Sequence, residues 1–129
     1  MTVISDYLAG KVIDVLRNNS YSGLSNVYLA LFNGDPGAAG SGATEVTATI
    51  RTSGRLAVTL SAPSTGATAN SSEVDFGKAA AAATVGGWGI FDASSSGNLL
   101  LYGGITPSLS VLINQTVKVP AGNISIDLS

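Results

Sequence analysis

After Gly23 the chain is a succession of short apolar runs separated by clusters of Gly, Pro, Ser, Thr and Asn. This punctuation limits the fold more than any other feature, because alternating runs of that length form strands and cannot supply long helices. "NVYLALFN" (Asn26–Asn33) places Val27, Leu29 and Leu31 on one side and Tyr28, Ala30 and Phe32 on the other. Both sides are apolar, as in a strand covered on two faces. "GDPGAAGSG" (Gly34–Gly42) follows as an exposed loop opened by a turn. "TEVTATI" (Thr44–Ile50) and "RLAVTL" (Arg55–Leu60) read as two further strands, the second with Leu56, Val58 and Leu60 on one face. "SAPSTGATANSS" reads as a polar connection and "EVDFG" (Glu73–Gly77) as a short strand with Val74 and Phe76 inward. "KAAAAATVGG" is extended or irregular. "WGIFDA" and "NLLLYGGI" form a hairpin through "SSSG". "QTVKVPAG" and "NISIDLS" close the pattern, with Ile124, Ile126 and Leu128 inward and Ser125 and Asp127 outward. Some eight strands at a spacing of about 8–12 residues predict an antiparallel β-sandwich, jelly-roll-like, over residues 23–129.

Within the hairpin, Trp88, Ile90, Leu99 and Leu101 are expected to share one face, and Phe91, Leu100 and Tyr102 the other. Leu29 and Leu31 join the first set as core. Glycines beside Trp88 let a neighbouring strand pass close to its ring. The phosphate-cradling pattern G-x-G-x-x-G is not met, because Asp92 stands at its last position.

Residues 1–22 differ in period. Leu8, Ala9, Val12, Ile13 and Leu16 recur as on one helix face, extended by Ile4. Ser5 is the expected N-cap, Asp6 complements the positive helix end, and Arg17 suits the C-terminal end. Gly10 weakens such a helix, so it is expected to rely on a docking surface. The segment lacks the basic start and unbroken apolar core of a secretory signal.

Chemistry is limited by what is missing. The 129 residues, enough for one domain, contain neither Cys nor His. That excludes disulfides, thiolate metal sites and the standard nucleophilic triads. Only 11% of residues are charged and the net charge is −2, against about 25% charged in an ordinary domain. Six cations spread along the chain make no nucleic-acid footprint. Mean hydropathy is +0.37, yet no run reaches the roughly 18 apolar residues of a membrane span. Few charges with much apolar surface suit a protein covered by neighbours. No cofactor or metal is expected. Glu73 and Asp75 share one strand face, but without a third carboxylate a solvated face is the simpler reading. Asp92 reads as a turn residue and Ser94–Ser96 as a mobile linker. Arg51 and Arg55 flank the turn "TSG", where they are expected to solvate a hairpin end. Asn18, Asn70, Asn114 and Asn123 begin glycosylation sequons, which matter only in a secreted eukaryotic chain.

"SDYLAGKVIDVL", "VYLALFNGDP", "TEV", "NSSEVDF", "WGIFDASSSGNLLLYGGI" and "VPAGNISIDLS", in this order, resemble a family of small bacteriophage virion proteins labelled phage tail fibre or minor structural proteins. One departure is "TATIRTSGRLAV", where a tyrosine–arginine start to the third strand is expected. The resemblance implies a non-enzymatic β-domain on the phage particle, with no catalytic residues to transfer. Capsid decoration (cement), bridging capsomers of the major capsid protein, is the favoured expectation. It follows from a domain that reads as complete without a shaft and a helix that begins near the start. A trimer is the expected oligomer. The alternative is a tail fibre or baseplate component acting in host attachment; a polysaccharide hydrolase using Glu73 and Asp75 is a more distant rival. The expected contact surfaces are the loop with Asp35 and Pro36, the linker with Asp92 and Ser95, and the helix face with Tyr7, Lys11, Asp14 and Arg17.

Overall fold

A computed structural model describes residues 3–21, 24 and 26–127. In chain order its elements are β1 (Val3–Ile4), α1 (Asp6–Leu16), β2 (Val27–Phe32), α2 (Thr47–Ile50), β3 (Leu56–Val58), β4 (Ala67–Ala69), β5 (Val74–Lys78), β6 (Ala83–Phe91), β7 (Leu99–Val111), β8 (Thr116–Val119) and β9 (Ser125–Asp127). One layer is a five-stranded antiparallel sheet in the order β1-β7-β6-β2-β3. The other is split into two antiparallel ribbons, β5-β8 and β4-β9. This is the antiparallel β-sandwich with an N-terminal helix that the sequence predicts. Leu128 lies outside the described residues.

The main core lies between the layers. Leu29, Leu31, Ile90 and Leu101 of the sheet meet Val74, Phe76, Val117, Ile124 and Ile126 of the ribbons. The second apolar face of β2 is buried as well. Ala30 and Phe32 join Phe91, Leu99 and Tyr102 in a separate cluster on the opposite side, covered in part by Ala38 and Ala43 of the 34–42 loop and its end. Asn70, also buried, ties the ribbons together: its amide donates to the carbonyls of Ser72 and Pro120 and its oxygen accepts from Ile124 N–H. A side chain so engaged is no sugar acceptor.

Four expectations need correction. Leu99 faces the second cluster and Leu100 the main core, the reverse of the assigned faces. The cause is a β-bulge: Ile90 pairs with Leu101 but Phe91 pairs with Leu99, which leaves Leu100 as the extra residue. Trp88 is half-buried and packs against the main core as its partner. The strand expected over Thr44–Ile50 forms only its first half. Glu45 bridges Phe32 and Val46 N–H donates to Leu31 carbonyl, after which the chain turns into α2. Thr47 ends the ladder, because its Oγ1 accepts the Leu31 N–H at 2.8 Å in place of a backbone carbonyl. β3 then resumes pairing farther along the same edge of β2. The polar connection contains β4, which pairs with β9. Ile4 belongs to β1, paired with Leu101, and not to the helix.

Ser5 caps α1, accepting from Leu8 N–H at 3.1 Å while donating to Leu99 carbonyl. The helix docks only through its first turn, where Tyr7 and Leu8 pack against the main core. Beyond Gly10 the expected docking stripe is solvent-exposed at Val12, Ile13 and Leu16, the last at 79%, and Val15 is exposed beside it.

The hairpin β6-β7 passes close to its neighbours only because it carries glycine. A Cβ on Gly103 would stand 2.8 Å from Trp88 Nε1, and one on Gly87 would strike the Gly34 carbonyl. Gly87→Ala is expected to cost about 3 kcal/mol, since backbone cannot yield as a side chain can. Gly10→Ala, where a Cβ meets nothing within 4 Å, should stabilise by up to about 1 kcal/mol. Denaturant midpoints of the two variants check both signs.

Candidate functional site

The β6-β7 turn, Asp92–Asn98, is the best-defined surface feature. Asp92 closes it from within, accepting from Asn98 backbone N–H at 2.7 Å and from Asn98 Nδ2 at 3.0 Å. These bonds, led by the backbone one, outweigh burial and hold the Asp92 carboxyl below the usual range. Arg55 braces the turn from below. Its Nη1 donates to the carbonyls of Ala93 and Ser96 at 3.0 and 2.8 Å. Its guanidinium lies 3.7 Å from the centre of the Phe91 ring, which in turn stacks on Phe32.

The remaining Arg55 donors grip Glu45 as a fork: Nε to Oε2 at 2.9 Å and Nη2 to Oε1 at 2.7 Å. The Arg55 side chain is only 7% exposed. It is therefore not solvating a hairpin end, as the sequence suggested. Arg51 does act there, donating to the carbonyls of Gly54 and Arg55. Burial pushes the Glu45 carboxyl up, but hydrogen bonds from Arg55 and Thr47, with the Arg55 charge, prevail and leave it below its ordinary 4.5. Three distant pieces of chain thus meet on one cation: the start of α2, the 51–55 turn and the tip. Between them lies a depression of about 240 Å³ lined by Glu45, Ala48, Gly54, Arg55 and Ser94–Ser96.

The other expected contact residues are dispersed. Ser95 stands exposed on the tip, which is braced and not a loose linker. Asp35 is exposed and accepts from Gly37 N–H at 2.9 Å, shaping the 34–42 loop. Pro36, expected on the contact surface, is instead fully buried. On α1, Lys11 sits 5.5 Å from the Tyr7 ring and Arg17 pairs with Asp14 at 3.0 Å. Glu73 and Asp75 are exposed, and Asp75 accepts from Gly77 N–H at the β5 bulge.

Sequence reasoning missed Glu45 and Thr47, and it read Arg55 as solvating a turn and Asn70 as a sequon residue without seeing the networks they organise. The available signal was an arginine and a glutamate embedded among apolar runs in a chain with few charges. It also missed the exposed apolar groups Leu109, Leu112 and Ile113 around the end of β7.

Among the described residues no group of three metal-ligating side chains assembles, and no helix is long and apolar enough to cross a membrane. The molecule is thus a β-sandwich whose best-built polar cluster braces a surface turn. Residues 3–127 match the family model described as "Podophage GP4 fiber I protein gp80". The chain belongs to this family and is a bacteriophage structural protein, as the resemblance in its sequence implied. No curated protein matches it.

Arg55→Lys keeps the charge but loses the fork and its two carbonyl bonds, and should cost about 2 kcal/mol. Hydrogen exchange at 93–98 should rise with it. Because the Glu45 carboxyl is depressed in the fold, its contribution is present at neutral pH and disappears as pH falls through the folded value. Glu45→Gln should therefore be less stable than the native protein at pH 7, with the gap in unfolding midpoint closing below the ordinary carboxyl value of 4.5.

Proposed function

We propose that the protein is a non-enzymatic component of a phage tail fibre and acts by protein–protein contact. The family match carries this reading and supports the fibre, the alternative at the level of sequence, over the capsid decoration that the sequence favoured, since the family's description is that of a fibre protein. The composition supports it further: the chain has neither His nor Cys and few charges. Exposed aliphatic groups on α1 and around the end of β7 add apolar surface for neighbours to cover.

In mechanism, a subunit that binds only the assembled fibre stabilises that assembly by its differential affinity. The tip with Ser95, the loop with Asp35 and the face of α1 are the proposed contact surfaces. A turn held by its own framework binds without ordering cost, which favours the tip as a recognition surface.

Quantitative mass spectrometry and immunogold labelling of purified particles test the assignment. The expected result is low copy number with label on the tail. Label over the head, with roughly hundreds of copies as a closed shell lattice requires, would restore the decoration reading.

A further inference from the structure

The ribbons leave part of the core-facing side of the sheet open. Among the described residues β8 pairs only with β5, so its other edge carries no strand. Where β8 faces the far half of β7, a cleft of about 290 Å³ remains. Leu31, Trp88, Ile105 and Leu109 line it from the sheet, and Val119 and Pro120 from β8 and its end. Small-ligand sites start at about 300 Å³, so a space of this size admits one slender chain.

Two polar side chains belong to the same lining, Lys118 and Asn123, and both residues are exposed. Among the described residues the ion pairs are Arg17–Asp14 and Arg55–Glu45, which leaves the Lys118 ammonium unpaired. Asp75 stands opposite Lys118 in the ladder, but its Oδ1 accepts from Gly77 N–H and it makes no ion pair with the lysine. Asn123 is engaged only through its backbone N–H, on the Pro120 carbonyl. No acidic side chain lines the cleft. The four-carbon stem of a lysine lets its charge swing over such a mouth. An apolar space with a few polar groups beside it fixes the direction of a ligand. Here the complement is an aliphatic chain that ends in an anion.

We propose that this cleft binds a single-chain aliphatic carboxylate, a free fatty-acid anion, with its chain between the layers and its carboxylate at Lys118. The bound chain completes the cover that the ribbons leave open. The site stands apart from the fibre assignment: absence of binding would leave the particle-labelling result untouched.

Trp88 is the only tryptophan of the chain, so its emission reports on the cleft. Decanoate, titrated below its micelle concentration into the purified protein, should give a saturable blue shift. It should also raise the unfolding midpoint, because a ligand of the folded state stabilises that state. Octanoate, shorter by two methylenes, should bind about tenfold more weakly. Lys118→Gln should weaken decanoate about tenfold and leave decanol unchanged, a split that a packing defect would not produce. Leu109→Asp, at an exposed position, should abolish decanoate binding while the unliganded unfolding midpoint stays native. Phosphatidylglycerol vesicles, whose chains are held in the bilayer, should give no shift. No response to decanoate, undiminished affinity in Lys118→Gln, a response to vesicles equal to that for the free anion, or a Trp88 signal that follows protein concentration in place of ligand, as a second copy filling the cleft would produce, would each overturn the proposal.

Discussion

Burial on both faces of β2, the end of β6 and the start of β7 is the constraint from which the rest of the molecule follows. A sheet apolar on two sides needs two covers. The ribbons β5-β8 and β4-β9 supply one, and the 34–42 loop with Arg55 helps supply the other. Covering irregular chain directly onto a sheet demands close backbone approach, which is why glycines stand at 86 and 87 against the Asn33–Gly34 backbone, while those at 89 and 103 leave room for the side chains of Leu99 and Trp88. Trp88 lies over Gly103 for the same reason, so the single tryptophan is a packing element between the layers.

Arg55 shows how one charge is accommodated in such an interior. Four hydrogen bonds join its guanidinium to the Glu45 carboxylate and to backbone carbonyls, and its planar face lies on an aromatic ring. Lysine has the charge without that fork. Thr47 extends the same network, accepting from Leu31 N–H and donating to Glu45 Oε2 at 2.7 Å. The segment that breaks the strand ladder is thus the one that positions the carboxylate for Arg55.

The architecture was legible where periodicity reports on burial. β2 shows its double-sided burial in the alternation of Val27–Phe32, and β5 and β9 show their inward residues directly. Legibility failed where one atom or one extra residue decides. The Leu100 bulge exchanged the faces of Leu99 and Leu100 with nothing in composition to signal it. Thr47 Oγ1 took a strand hydrogen bond that propensity assigns to backbone. For α1, the apolar period was read correctly as a helix, but a period does not say whether the face is covered by the same chain. Asp92 was legible as a turn residue because its role is local. Arg55 was not, because its partners lie ten to forty-one positions away in sequence.

The brace on the β6-β7 tip touches main-chain oxygens at Ala93 and Ser96 and asks nothing of the side chains between them. Shape and chemistry are thereby separated at this turn. Residues 94 and 95 can change identity while the loop keeps its outline, so the scaffold permits drift in what the tip presents without loss of the frame that presents it. A phage protein under pressure to follow a changing partner gains most from variation confined to a few such positions.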